Sequence, residues 1–138
     1  IPKENCVADE DGVGGGVVDN TGIEGFVNNS RPFEENGELP NYKNLQTQCL
    51  YKLAEKINAN EIYISAEIIE KYKEWIVEEL EQLKSDNKDG QKLSIVNKAE
   101  VKSIIGRSPD FRDMLLMRMY FELKPKKKRK KYTGITVR

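Results

Sequence analysis

The feature that most constrains the fold is an alternation of short apolar runs with longer segments that repeat apolar residues at helical spacing. Residues 5–8 predict the end of a short buried strand, and residues 23–27 predict a second strand. A helix is predicted from about residue 41 to residue 58. Its apolar positions recur every four residues: Leu45, Cys49, Leu53 and Ile57. Because strand and helix signals alternate along the chain, the sequence predicts an α/β fold.

The other elements follow from local signals. Further strands are predicted at residues 61–64 and 92–96, and an edge strand at residues 133–137. The glycine-rich residues 12–16 predict a turn, followed by a short helix at residues 17–19. Residues 28–41 are polar and without period, which predicts a surface loop. Each of these assignments depends on pattern alone.

Three later helices are predicted from their ends as well as from their period. Ser65 is expected to cap a long helix that reaches residue 84. Asn97 is expected to cap a shorter helix that ends at Gly106. Ser108 is expected to cap the last helix, with Pro109 at its first position and its end near residue 123.

The charge of the chain is balanced overall but unevenly distributed. The chain has 138 residues and no net charge, yet residues 124–131 carry seven basic side chains and no acid. This predicts one soluble domain at residues 1–123 and a basic tail at residues 124–138. No run approaches the length of a membrane span, and the start is not a signal peptide, so no membrane association is expected.

The chain contains no histidine, which excludes the Ser-His and Cys-His nucleophile schemes and the usual zinc sites. Cys6 and Cys49 stand apart from each other in apolar surroundings. They are expected to be buried, reduced thiols, in agreement with a cytosolic compartment. Any catalysis must therefore depend on carboxylates, lysine, tyrosine or a metal ion held by oxygen.

The segment NCVADEDGVGGGVVD places three acids directly before four glycines. A phosphate-binding loop is disfavoured because no Lys-Ser or Lys-Thr follows and the spacing is not G-x-G-x-x-G. Asp9 instead lies where a strand ends, and a carboxylate at that edge of an α/β sheet suits Mg²⁺ or Mn²⁺. An acidic, solvated turn with Asp9 as a helix cap explains the same residues, and both interpretations stay open.

The segment GRSPDFRDMLLMR places two acids three residues apart at a helix N-terminus. Asp110 and Asp113 are therefore expected to share a face and to stay ionised, ready to hold a cation. Ordinary compensation of the helix dipole explains the same pattern. Arg107 and Arg112 are expected either to pair with these acids or to reach a phosphate.

Four segments occur in the order seen in the large terminase subunits of tailed phages and prophages: ADEDGVGGGVVD, GFVNN, NYKNLQTQCLYKLAEKIN and GRSPDFRDMLLMR. From residue 6 to residue 121 the chain resembles the C-terminal nuclease domain of those subunits. The resemblance implies an RNase H-like fold and a metal-dependent endonuclease that cuts concatemeric double-stranded viral DNA. It also implies the terminase small subunit and the portal as partners, and the cytoplasm of a bacterial host as the location.

The resemblance also implies the site residues. Asp9 matches the acid before the glycine turn, and Asp110 and Asp113 match the final acidic cluster, as catalytic ligands of two Mg²⁺ or Mn²⁺ ions. Which of Asp110 and Asp113 is the main ligand stays open. The first-strand acid and its hairpin are not in this sequence, so a domain without its first strands is expected, with weak metal binding and poor cleavage by the isolated chain.

Under the resemblance, basic residues are expected to contact the DNA backbone. They are Arg107, Lys126, Lys127, Lys128, Arg129, Lys130 and Lys131. A disordered, solubilising tail explains the basic run equally well. The alternative function is a non-catalytic α/β module for nucleic-acid binding or assembly, which would use the helix at residues 65–84 and the basic tail.

Overall fold

The computed structural model describes residues 1–11, 14–87 and 90–125. It contains a short 3-10 turn at Lys3–Asn5, two strands and five α-helices, which confirms the α/β class. The elements are β1 (Val7–Asp9), α1 (Gly15–Thr21), β2 (Glu24–Phe26), α2 (Leu45–Asn58), α3 (Ala66–Leu80), α4 (Lys98–Ile105) and α5 (Asp110–Leu123). Within the described ranges, no helix has both the length and the apolar character needed to cross a membrane.

Strands β1 and β2 pair in parallel, with α1 as the connection between them. Val7 lies opposite Glu24, and Asp9 lies opposite Phe26. The last pair is closed by a hydrogen bond from the Glu10 N–H to the Phe26 carbonyl at 2.9 Å. The strands predicted at residues 5–8 and 23–27 are confirmed, although each is only three residues long. Since the strands are parallel, their carboxyl ends lie at the same edge, where α/β sheets place ligands.

The hydrophobic core lies between the sheet, α2 and α5. The predicted apolar face of α2 is confirmed, with Cys49 and Leu53 fully buried. Helix α5 packs against α2, α3 and β1, and α4 packs against α3. The core side chains are Phe26, Leu45, Cys49, Leu50, Leu53, Leu116, Met119 and Tyr120. Helix α5 is therefore held against the end of β1 by the core itself.

The predicted loop at residues 28–41 is irregular, as expected, but it is attached to the core by Gln48. This side chain is only 1% exposed. Its carbonyl oxygen accepts the Phe33 N–H at 2.8 Å, and its amide donates to the Phe33 carbonyl at 3.0 Å. A buried side-chain amide thus satisfies both backbone groups of Phe33, as a neighbouring strand would.

Two predicted strands are wrong. Residues 61–64 have no strand structure, and residues 92–96 form only isolated bridges, which pair Leu93 with Tyr42 and Ile95 with Ser85. Ile62 and Ile95 both pack against the core. The alternation of apolar residues in these two segments therefore reflects burial of one side, without the hydrogen-bonded ladder that defines a strand.

The predicted helix ends are partly correct. Asn97 caps α4, since its side chain accepts the Glu100 N–H at 2.9 Å, and Gly106 ends the helix with a φ of 74°. Helix α5 begins one residue later than predicted, because Pro109 occupies the N-cap. Ser65 is the N-cap of α3, but its side chain makes no capping hydrogen bond.

Other predicted boundaries differ or lie outside the described residues. Helix α3 ends at Leu80 instead of near residue 84, and α2 begins at Leu45. Helix α1 begins at Gly15, inside the glycine run that was predicted to be a turn. The predicted edge strand at residues 133–137 and the basic residues 126–131 lie outside the described part of the chain.

Candidate active site

A cleft of about 150 Å³ lies at the carboxyl edge of β1 and β2. Its polar side chains come from five separate places: the end of β1, the residues after β2, the starts of α2 and α4, and the first turn of α5. The lining residues are Asp9, Phe26, Asn28, Gln46, Lys98, Asp113, Leu116 and Met117. The fold therefore brings Asp9 and Asp113 into one cleft, although more than a hundred residues of chain separate them.

Asp9 is held in place by a small polar network at the end of the strands. Its Oδ1 accepts the Asp11 N–H at 3.1 Å and the Asn28 amide at 3.3 Å. Asn28 also donates its backbone N–H and its side-chain amide to Asp11 Oδ2, at 2.6 and 2.9 Å. Among the described residues, both hydrogen bonds of the Asp9 carboxylate fall on Oδ1, and Asp9 lines the cleft. Asn28 was not predicted to be a site residue.

The glycine run has a steric role next to Asp9. Gly14 is the N-cap of α1, and a Cβ added there would lie 1.9 Å from the Asp9 carbonyl oxygen. The start of α1 therefore lies directly against the backbone of the strand that carries Asp9. This close approach explains a glycine at position 14 without any bound phosphate.

Replacement of Gly14 by alanine is expected to lower the free energy of unfolding by about 2–3 kcal/mol, because the new methyl group cannot fit against the Asp9 carbonyl. Urea unfolding would measure the change. Gly16→Ala is the matched control, since a Cβ at Gly16 has open space around it and the residue lies inside α1. That variant should gain about 0.5–1 kcal/mol. Equal effects at both positions would contradict the steric role.

Asp113 is the second carboxylate of the cleft. Its Oδ1 accepts hydrogen bonds from Arg112, at 3.2 Å from Nε and 2.9 Å from Nη2. Its Oδ2 forms a short ion pair with the ammonium group of Lys98. The pairing of Arg112 with an acid of this segment is one of the two outcomes expected from the sequence. Lys98, the first residue of α4, was not predicted to be a site residue.

The structure does not bring two other predicted residues to this cleft. Asp110 is exposed at the first position of α5 and is not among the cleft residues. Arg107 pairs with Glu78 and Glu79, and its guanidinium lies 4.9 Å from the Trp75 ring centre. Asp110 as a ligand and Arg107 as a DNA contact therefore stay predictions.

The donor set of the cleft fits a hard cation in part. Across residues 1–11, 14–87 and 90–125, no group of three or more acidic, cysteine or histidine side chains is placed to hold a metal ion. The cleft does offer two carboxylates, from Asp9 and Asp113. Mg²⁺ is commonly bound by only one or two protein carboxylates, with water completing the octahedron. The residues present thus suit one such ion.

Cys49 contributes no nucleophile at neutral pH. Both cysteines are free thiols, and Cys49 is fully buried, as predicted, whereas Cys6 is only half-buried. Burial raises the pKa of the Cys49 thiol to about 12. The thiolate is the reactive form, so Cys49 is chemically inert under physiological conditions.

Comparison with known proteins identifies the fold. No protein-family model matches the chain, and no curated protein matches it. The solved nuclease domain of the large terminase subunit gp2 of bacterial virus Sf6 matches with a TM-score of 0.64 and 24% sequence identity. The match covers 82% of this chain and 63% of that domain.

Two further structures of the same viral domain, both of a lysine-to-alanine variant, match equally well. The variant solved with manganese has a TM-score of 0.64 and 24% identity over 82% of this chain and 64% of that one. The variant solved with manganese and β-thujaplicinol has a TM-score of 0.64 and 23% identity over 82% and 63%. This chain thus spans a little under two thirds of the matched domains. It has the α/β, RNase H-like fold of a terminase nuclease domain, as the sequence resemblance implied.

Proposed function

We propose that this chain is part of a metal-dependent endonuclease that cuts concatemeric double-stranded viral DNA during packaging. The observation that carries the proposal is the meeting of Asp9 and Asp113 in one cleft at the carboxyl edge of the sheet. The fold shared with the Sf6 nuclease domain supports it, and that domain has been solved with manganese. Neither fact alone would suffice, because folds host many functions.

Asp9 and Asp113 would hold a Mg²⁺ or Mn²⁺ ion through their carboxylate oxygens. When bound, such an ion stabilises negative charge on a phosphodiester and favours deprotonation of the attacking water. Asn28 keeps the Asp9 carboxylate in place. Lys98 adds a positive charge beside Asp113, where it would also attract a DNA phosphate. A second ion, as the resemblance implies, would require carboxylates beyond the two that line this cleft.

DNA affinity is proposed to come mainly from the basic run at residues 126–131. Residues 1–123 contain fifteen basic and twenty-three acidic side chains, so this part of the chain is net acidic. Every acid of the sequence lies in that part, whereas the remaining residues carry only basic charges. Binding through the basic run should be independent of sequence and should weaken steeply with salt. We also propose that the terminase small subunit and the portal are partners of this protein, and that it acts in the cytoplasm of a bacterial host.

The alternative is a non-catalytic module for nucleic-acid binding or assembly. It is favoured by one observation: within the described ranges, the carboxylates at the cleft number only two, and no three-acid group is assembled. A module of this kind would bind DNA through residues 126–131 and would be indifferent to divalent cations.

A metal titration separates these two functions. We expect Mg²⁺ to shift the NMR resonances of Asp9, Asn28 and Asp113 together, with an affinity in the millimolar range. Asp9→Asn should remove these shifts, because it eliminates one of the two charged ligands. Asp19→Asn, on the exposed face of α1, is the matched control and should leave them unchanged. If Mg²⁺ produces no shift at the cleft, the metal centre is excluded and the binding module is favoured.

A further inference from the structure

Arg112 is a fully buried cation beside the cleft. Its side chain is 1% exposed, whereas that of its neighbour Asp113 is 19% exposed. Consecutive residues of a helix point in directions about 100° apart and do not normally face each other. Here the arginine side chain nevertheless reaches the carboxylate of the next residue, with both contacts on Oδ1. This contact is unusual and requires an explanation.

The contact matters for stability because Arg112 carries a buried positive charge. A guanidinium cannot lose its proton in a protein, so its burial is unfavourable unless a hydrogen-bonded acid compensates it. Asp113 supplies that acid. In the described part of the chain, no buried side-chain nitrogen or oxygen is left without a hydrogen-bond partner. The buried guanidinium and the Asp113 carboxylate are therefore held together as one unit.

The backbone of Arg112 is also held. Its N–H donates to Glu79 Oε2 at 2.9 Å, and Glu79 is itself 1% exposed. Glu79 in turn pairs with Arg107, which lies just before α5. Since both the backbone and the side chain of Arg112 are anchored, Asp113 has little freedom to turn its carboxylate.

The two oxygens of Asp113 therefore have different surroundings. Oδ1 receives both N–H groups of Arg112, whereas Oδ2 is turned to Lys98, which lines the cleft. A carboxylate fixed in this way can offer one oxygen to a cation and cannot easily offer both. Since Arg112 occupies Oδ1, Oδ2 is the oxygen at which a cation could take the place of the Lys98 ammonium.

We propose that Arg112 is a positioning residue: it occupies Oδ1 of Asp113, so that a divalent cation would bind at Oδ2 and displace the Lys98 ammonium from it. This inference rests on the proposed function, because it assigns a role to Arg112 at the same cleft. Partners that orient metal ligands through hydrogen bonds typically account for 10–100-fold in metal affinity or activity.

The test compares Mg²⁺ binding by the full chain and by Arg112→Met, using the cleft resonances. Loss of a positive charge would by itself strengthen cation binding, since like charges repel. Loss of positioning should instead weaken binding by about 10–100-fold. Arg112→Lys keeps the charge with a single donor group and should show an intermediate affinity. A decrease in Mg²⁺ affinity would indicate positioning, whereas an increase would indicate a purely electrostatic effect.

Arg118→Met is the matched control for this comparison. Arg118 lies on the same helix, but it is exposed and pairs with Glu122 instead of a cleft residue. Its replacement should change Mg²⁺ affinity by less than about twofold, in line with the weakness of exposed ion pairs. Unchanged or stronger Mg²⁺ binding by Arg112→Met would overturn the inference.

A metal-free measurement covers the case in which Arg112→Met does not fold. In the unmutated chain, the Nε–H proton of Arg112 should exchange with water much more slowly than that of Arg118. Asp113→Asn should accelerate this exchange, whereas Asp110→Asn should not. Rapid exchange in the unmutated chain would overturn the positioning role. Absence of Mg²⁺ binding by the unmutated chain would instead overturn the proposed function, and the inference with it.

Discussion

If the proposed function is correct, replacement of Asp9 by asparagine in the full-length parent protein is expected to abolish metal-dependent DNA cleavage while the fold is retained. The expected loss is at least about 100-fold, because removal of even an indirect partner of a metal ligand costs 10–100-fold. Asparagine has nearly the same shape and keeps an oxygen that can accept the Asp11 N–H. It lacks the negative charge that a divalent cation requires. A plasmid-nicking assay with Mn²⁺ would measure the loss.

The control for this variant is Asp19→Asn, which removes one acid from the exposed face of α1. It should cleave DNA at the rate of the unmutated protein. Circular dichroism and the melting temperature should be the same for both variants. Retained nicking by a folded Asp9→Asn protein would rule out the ligand role of Asp9, and with it the proposed metal centre.

Replacement of Glu79 by alanine is expected to produce a large loss of stability, about 3 kcal/mol in the free energy of unfolding. Glu79 is 1% exposed and accepts hydrogen bonds from Arg107 and from the backbone N–H of Arg112. Its loss leaves the Arg112 N–H without a partner at the buried start of α5 and removes the buried one of the two acids that pair with Arg107. Urea unfolding with a linear extrapolation would measure the change.

The neighbouring Glu78 provides a matched control for this prediction. It also pairs with Arg107, but its side chain is 49% exposed. Glu78→Ala should therefore change the free energy of unfolding by less than about 1 kcal/mol, as exposed ion pairs do. Similar losses for the two variants would show that burial of Glu79 does not determine its contribution.

Much of the helical structure could be predicted because its signals are local. The repeat of Leu45, Cys49 and Leu53 marks the buried face of α2, since residues three to four apart lie on one side of a helix. Asn97 and Gly106 bound α4 through hydrogen bonds within a few residues of each. Such contacts depend only on nearby sequence, so a single chain is sufficient to identify them.

The segments that were wrongly predicted to be strands, residues 61–64 and 92–96, show where local pattern is not sufficient. Alternation of apolar residues predicts that one side of a segment is buried, and Ile62 and Ile95 are indeed packed against the core. A strand also requires a partner with free backbone groups along its length. That partner comes from distant sequence, and local pattern contains no information about it.

Part of the candidate site could likewise be predicted from local sequence, and part of it could not. The sequence by itself identified Asp9 at a strand end and an acidic pair at the start of α5, because strand ends and helix starts are local features. Only the tertiary structure distinguished Asp113, which lines the cleft, from the exposed Asp110. It alone placed Asn28 and Lys98 beside the two acids, since the packing of α5 against the sheet and of α4 against α3 is determined by contacts between residues far apart in the chain.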